Sequence, residues 1–167
     1  YDGKLSDYSM TGIQADRRLN KNYLDSLATI DPSTLNPVNR IDYKIMKTNL
    51  KSWLFQIDTL REYEWNPLTY SIGGSIYGLL ARDFAPLKDR LASVKERLQG
   101  ISAVLAAAKS NLKNPPRIHT ETALRQNPGT ISMVRDELRT YLDQVPELKE
   151  DFAPIQADAV HALEEFG

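Results

Sequence analysis

Apolar residues recur at alternating spacings of three and four along most of the chain, which is the pattern of amphipathic α-helices. The clearest stripe consists of Tyr43, Met46, Leu50, Trp53, Ile57 and Leu60. A longer stripe consists of Leu87, Leu91, Val94, Leu98, Ile101, Leu105, Ala108 and Leu112. No segment alternates apolar and polar residues at period two, so little or no β-sheet is expected. The pattern predicts an all-α fold.

Prolines mark several predicted helix starts. Asn36 precedes Pro37, and an asparagine side chain can accept hydrogen bonds from the free amides of a first turn, where proline's missing N–H is harmless. Pro86 opens the longer stripe, and Asn127-Pro128 repeats the Asn-Pro pair. These signals predict an irregular bundle of about six helices, mostly antiparallel and with proline-capped starts, in a single domain of residues 1–167.

Other breaker residues predict interruptions. Trp65-Asn66-Pro67 predicts a turn, and the glycine-broken stretch after it predicts a loop leading into a short helix through Leu80. Gly100 predicts a break or kink, since glycine costs about 1 kcal/mol relative to alanine in a helix interior. Pro154 predicts a kink or split in the last helix. The prolines at 115 and 116 predict a polar connector that runs to His119.

Composition excludes several classes of protein. The 167 residues are 41% hydrophobic and 26% charged, as expected for a folded globular chain. The net charge of −1 gives no basic footprint, so no nucleic-acid partner is expected. No apolar run reaches the roughly 18 residues of a membrane-spanning helix. The absence of cysteine excludes a disulfide framework and thiolate metal sites.

The sequence contains no recognisable catalytic motif. Around Ser75, Tyr77 stands where a nucleophile elbow needs glycine, and Leu79 stands where a phosphate loop needs lysine. His161 has carboxylates three and four residues away, which we interpret as a solvated helix face rather than a metal site. His119, in the predicted connector, can either serve a site or satisfy a backbone carbonyl. No catalytic residue and no metal ligand set is predicted here.

Several segments, in order, resemble a large bacterial family called domain of unknown function 885. The segments are residues 35–43, 65–68 with Tyr70, 74–77, 80–87, 114–123 and 126–129. The resemblance covers nearly the whole chain. It implies a mostly helical protein several times this length, whose C-terminal half carries a His-Glu-x-x-Pro-Gly-His type motif similar to that of gluzincin-like zinc peptidases.

The resemblance also implies what this chain lacks. Thr120 follows His119 and Ala162 follows His161, so no His-Glu pair exists and the zinc centre would lie beyond Gly167. The chain would be the N-terminal helical region, packed over a catalytic half and forming part of its cleft. Zinc would belong to the full-length protein, a metallopeptidase or related hydrolase, and a peptide would be its substrate.

Bulky polar groups that leave the regular helical pattern are the predicted lining of that cleft. These are Tyr70, Tyr77, Arg82, Arg117 and His119. A chain that begins at Tyr1 is compatible with a removed export signal, hence a periplasmic protein or lipoprotein. The alternative function is a self-contained helical binding or interaction module without catalytic activity.

Overall fold

Two compact units make up the computed structural model of the chain, which describes residues 2–167. The hairpin unit is Asp7–Tyr63, and the bundle unit is Glu64–Gly167 together with the residues up to Ser6. Throughout residues 2–167 the regular structure is helical and no strand is present. The all-α prediction is therefore confirmed.

The hairpin unit consists of two long helices. Helix α1 spans Met10–Ala28 and helix α2 spans Pro37–Phe55, with a short 3₁₀ turn between them and a π-helical turn, Gln56–Leu60, continuing α2. The Asn36 side chain accepts a hydrogen bond from the Asn39 N–H at 2.8 Å, which confirms the predicted cap. Arg17 of α1 bonds to Asp58 at 2.6 Å, so the two helices run antiparallel.

The bundle unit contains the remaining helices. They are α3 (Gly73–Ala81), α4 (Leu87–Asn111), α5 (Arg117–Ser132), α6 (Leu138–Leu142) and α7 (Lys149–Phe166). A π-helical turn, Met133–Glu137, joins α5 to α6 without interruption. If this continuous rod is counted once, residues 2–167 form six helical rods, as the sequence predicts. Pro86 stands directly before α4, as predicted. Pro116 stands directly before α5, where the sequence predicts a connector instead of a helix start.

Helices that follow one another in the bundle unit run antiparallel, but α4 and α7 run parallel. Asn127 of α5 bonds to the Leu163 carbonyl near the end of α7, and Gln156 in the first half of α7 bonds to the Val134 carbonyl farther along the α5–α6 rod. These two contacts show that the α5–α6 rod and α7 run antiparallel. Lys88 of α4 pairs with Glu147 just before α7, and Lys95 pairs farther along with Asp151. Helices α4 and α7 run parallel because one rod, α5–α6, lies between them in sequence and runs antiparallel to both.

The core of the bundle unit lies where α3, the α5–α6 rod and α7 meet α4. Its largest fully buried side chains are Phe152, Ile76, Leu91, Ile101, Leu138, Val94 and Val134. Three of these seven residues, Leu91, Val94 and Ile101, belong to the apolar stripe of residues 87–112 read from the sequence. Burial of large aliphatic and aromatic side chains contributes about 1.5–3 kcal/mol each, so this core supports the walls of any site on its surface.

Of the break or kink predicted at Gly100, the break is wrong, because α4 runs from Leu87 to Asn111 as one helix; the kink stays a prediction. The glycine has a packing role instead. A Cβ atom placed at Gly100 would lie 3.3 Å from Cδ1 of Leu5, which belongs to the N-terminal segment of the same unit. The small residue makes room for that segment where it lies against α4.

The helix start predicted at Asn127-Pro128 is also wrong. Helix α5 begins ten residues earlier, at Arg117, and contains Pro128. Asn127 does not cap a helix, because its amide donates to the Leu163 carbonyl of α7 at 2.8 Å. Of the kink or split predicted at Pro154, the split is wrong, since α7 contains this proline; the kink stays a prediction. In both cases buried residues beyond the proline hold the helix in place.

Candidate functional site

A largely apolar pocket of about 270 Å³ opens on the bundle unit. It lies between the turn Pro67–Tyr70, the C-terminal half of α4, α5 and the end of α7. Its apolar wall consists of Pro67, Leu68, Tyr70, Ile72, Leu105, Leu112, Pro115, Ala123, Leu124, Leu163 and Phe166. A concave, mostly apolar site with a few polar groups is the usual form of a small-ligand site.

One side of the pocket is held by a buried polar pair. Asn66 accepts a hydrogen bond from the Leu68 N–H at 3.1 Å and starts the turn Pro67–Tyr70, as the Asn-Pro signal predicts. The turn delivers Tyr70 into the interior, where its ring is 2% exposed. Asn111 at the end of α4 donates a 3.1 Å hydrogen bond to the Tyr70 hydroxyl. This bond fixes the wall against α4.

The opposite side is held by close contact between α3 and α5. A Cβ atom placed at Gly73 would come within 2.8 Å of the Thr130 Oγ1, so the start of α3 can approach Thr130 only because residue 73 is glycine. Thr130, Thr120 and Asn127 present polar atoms to the pocket from α5, and Lys109 does so from α4. These groups could orient the polar end of a bound ligand, while the apolar wall contacts the apolar end of the same ligand.

Of the five predicted cleft residues, the structure places only Tyr70 in the pocket wall. Tyr77 is exposed on α3, and Arg82 is exposed immediately after it. Arg117 is exposed and bonds to Glu121 at 2.6 Å along α5. The connector that was predicted to carry Arg117 and His119 is in fact the first turn of α5. A common cleft in a longer protein stays a prediction.

His119 lies beside the pocket with unused hydrogen-bonding capacity. Its ring meets Trp65 edge to face, with centroids 5.4 Å apart and planes at 88°. Its Nδ1 atom is buried and has no hydrogen-bond partner among residues 2–167. An unsatisfied buried polar atom costs about 1–3 kcal/mol. The next residue, Thr120, lines the pocket, so His119 is adjacent to the site without forming its wall.

The residues of this chain do not fit a zinc ion. Within residues 2–167, no three histidine, aspartate or glutamate side chains come together closely enough to hold a metal. His161 is exposed and lies 3.5 Å from Glu165 one turn along α7, as the interpretation of a solvated face expects. No step of a metal-dependent reaction is therefore assigned to these residues.

The carboxyl groups with lowered pKa values are not among the residues that line the pocket. The hydrogen bond from Arg17 holds the pKa of Asp58 below its usual range, and the Ser33 N–H does the same for Asp31. Both belong to the hairpin unit. Glu147, whose pKa is lowered chiefly by a backbone hydrogen bond, is exposed on the bundle unit. The pocket has the features of a binding surface, since it gathers apolar groups rather than shifted acids and bases.

A family model described as "Bacterial protein of unknown function (DUF885)" matches residues 1–167. The chain belongs to this family. A solved structure described as a putative lipoprotein of unknown function from Shewanella oneidensis is 30% identical, with a TM-score of 0.90 over 99% of this chain. The present chain spans 31% of the length of that protein. No curated protein matches it.

Family membership confirms the resemblance that the sequence motifs indicated. The polar pocket residues that the sequence did not indicate include Lys109, Thr130 and Asn127. Asn127 was assigned to a cap because Asn-Pro pairs commonly start helices. Asn111, which supports the wall, carried a usable signal, since it falls in phase with Val104 and Ala108 on the buried side of α4. Among residues 2–167, no helix combines the length and apolar character needed to cross a bilayer.

Proposed function

We propose that the chain is the N-terminal, cleft-forming helical region of a longer zinc-dependent peptidase or related hydrolase. The observation that carries the proposal is the family match over the whole chain, joined to a solved relative of which the chain covers only 31%. The catalytic His-Glu pair and the zinc would lie outside these residues. The relative's description as a lipoprotein supports export as the location.

In this proposal the chain contributes binding and not chemistry. The pocket receives an apolar side chain of a peptide substrate, with Thr120 and Lys109 available to its polar atoms. Arg117, which is exposed on the first turn of α5, exchanges Glu121 for a substrate carboxylate in forked geometry. His119 lies beside this pocket, and a change of its side-chain rotamer on substrate binding would let the buried, unbonded Nδ1 form one further hydrogen bond.

The test uses the full-length protein and its best peptide substrate. Arg117→Ala and His119→Ala, made separately, should each lower kcat/KM at least about fivefold, roughly 1 kcal/mol of barrier. Arg125→Ala, an exposed arginine on the same helix, is the matched control and should change the rate less than twofold. The cleft role is wrong if Arg117→Ala and His119→Ala both stay within twofold. A fall of several degrees in the melting temperature of the 167-residue chain would indicate a structural role instead.

The alternative, a self-contained binding module, is favoured by one observation: the pocket is formed entirely by residues of this chain. The 167-residue chain would then bind an apolar anionic dye such as anilinonaphthalene sulfonate with saturable affinity. Ala123→Trp, which fills the pocket, should abolish that binding, whereas Ala92→Trp on the exposed side of α4 should not. Saturable binding together with an inactive, zinc-free full-length protein would select the module.

A further inference from the structure

One side of α2 in the hairpin unit carries a large exposed apolar surface. Val38, Ile41, Ile45, Met46 and Trp53 are each between 50% and 67% exposed. At the roughly 100° per residue of an α-helix, these five positions fall within an arc of about 140° on one side of α2. We call this set the α2 outer face.

The α2 outer face is distinct from the side of α2 that packs on α1. Tyr43 is buried on the inner side, and Leu50 and Leu54 are half-buried in phase with it. These residues complement the buried Ile13 and Leu27 of α1. The hairpin therefore uses one side of α2 for its own interior, and nothing else within residues 7–63 covers the apolar outer face.

The charge distribution separates the two sides of α2 further. Within the arc of the α2 outer face, Asp42 is the one charged residue of the helix. The basic residues Arg40, Lys44, Lys47 and Lys51 all fall outside the arc. Single exposed apolar residues are ordinary on protein surfaces, but a charge-poor cluster of five is typical of the centre of an interface.

We infer that the α2 outer face is the docking surface for the part of the longer protein that lies outside this chain. The inference rests on the proposed function only in requiring such a longer protein. The chain covers 31% of the solved relative, so 69% of that protein (100 − 31) lies outside the matched region. A two-helix hairpin cannot bury both sides of its helices by itself, and the remainder supplies the missing layer.

The expected partner surface is apolar and poor in charge, like the face it covers. Trp53 is the expected anchor, because large aromatic side chains bury the most area at interfaces and dominate their energetics. The stripe of Met46 and Trp53, seven residues apart, would place two side chains in line along the contact. A partner on this face would account for the exposure of Met46 and Trp53, which belong to the continuous apolar stripe predicted for α2.

Cysteine labelling tests the inference, because the 167 residues contain no cysteine. Ile41→Cys places a thiol inside the α2 outer face, and Lys44→Cys places one outside it on the same helix. In the 167-residue chain both variants should react with a maleimide at similar rates. In the full-length protein, with labelling read on the peptide that carries the site, Ile41→Cys should react at least tenfold more slowly and Lys44→Cys within twofold. Ile45→Cys replaces Ile41→Cys if that variant fails to fold.

Any other labelling result overturns the inference. Equal rates for Ile41→Cys in both proteins would show that the remainder does not cover the face. Slow labelling of Ile41→Cys in the dilute 167-residue chain would show that the chain covers its own face. A labelling rate that falls as the concentration of the 167-residue chain rises would assign the face to a second copy. Zinc content and peptide hydrolysis are measured on the same full-length preparation. Protection without zinc or hydrolysis refutes the proposed function alone, and hydrolysis without protection refutes the docking surface alone.

Discussion

The buried guanidinium group of Arg90 forms hydrogen bonds to the end of helix α3 and to the turn that leads into α4. Its Nη1 atom donates to the carbonyls of Leu79 and Leu80, and its Nε atom donates to that of Ala85. Its Nη2 atom lies 3.3 Å from the Asp83 carboxylate. The last carbonyls of a helix have no partner within it, so this arginine satisfies α3 and the following turn together.

Replacing this arginine should destabilise the bundle unit strongly. Arg90→Met leaves three carbonyls without this donor, two of them buried, and should lower the free energy of unfolding by about 3 kcal/mol. Arg82→Met is the matched control, because Arg82 is exposed, and it should change stability by less than about 0.5 kcal/mol. Urea unfolding of the 167-residue chain, followed by circular dichroism, measures both. A loss below about 1 kcal/mol for Arg90→Met would contradict this role.

Asn114 adopts a left-handed backbone conformation, with φ of 48°, in the turn between α4 and α5. Asparagine tolerates this region, glycine favours it and alanine is strained there. Asn114→Ala should therefore cost about 1 kcal/mol and lower the melting temperature by about 2–4 °C. Asn114→Gly should melt within about 1 °C of the parent. If the two variants melt together, the backbone conformation is not what residue 114 contributes.

At this scale the sequence predicts local contacts and misses distant ones. The Asn36 cap could be predicted, because donor and acceptor are three residues apart. Arg90 gave a partial signal, since it lies in phase with Leu87 and Val94 on the buried side of α4. Its acceptors, however, come from a turn whose path depends on how α3 packs on α4. The unbonded Nδ1 of His119 has no sequence signature at all.

At the scale of elements, the end of α2 is tied to α1 by an exposed ion pair. Asp58 lies in the π-helical turn Gln56–Leu60 and receives hydrogen bonds from Arg17 at 2.6 and 3.0 Å. The hydrogen bond from Arg17 is the main cause that lowers the pKa of Asp58. A carboxyl group with a lowered folded-state pKa stabilises the fold above its unfolded value near 3.8, and the contribution is lost as pH falls through the folded pKa.

The stability difference between the parent chain and Asp58→Asn should therefore be present at about pH 7 and be lost as the pH falls below 3.8 and through the folded-state pKa of Asp58. NMR titration of the side-chain carboxyl carbon gives the pKa itself. Arg17→Met should raise the pKa of Asp58 toward its usual value. Arg18→Met, which removes a neighbouring exposed arginine, should leave it unchanged. An Asp58 pKa that does not respond to Arg17→Met would show that the ion pair does not form in solution.

The helix boundaries show what periodicity can and cannot predict. Helix α2 begins where the cap and proline place it, because both signals act within one turn. Helix α5 begins at Arg117 and continues through Pro128, although Asn127-Pro128 is the same Asn-Pro signal that starts α2. Met133 and Val134, one turn beyond, are buried against the core, and their burial outweighs the missing hydrogen bond. Local signals therefore decide a boundary only where tertiary packing does not oppose them.

At the scale of the whole molecule, the fold class and the family could be predicted, but the surfaces could not. Helical spacing and the order of motifs are properties of the sequence alone. The pocket requires Tyr70, Thr130 and Leu163, which are far apart in sequence and meet through helix packing. The α2 outer face has the same sequence period as a buried stripe, so only the structure shows that its residues are exposed in the hairpin unit.

The central claim is that this chain is the non-catalytic part of a zinc-dependent enzyme, and metal content measured side by side tests it most directly. The full-length protein and the 167-residue chain are purified without chelator, dialysed together and analysed for zinc by mass spectrometry. The account predicts about one zinc per full-length molecule, removed by a chelator together with peptide hydrolysis, and none on the 167-residue chain. A stoichiometric, chelator-sensitive zinc on the 167-residue chain, or a full-length protein that holds none, would contradict it.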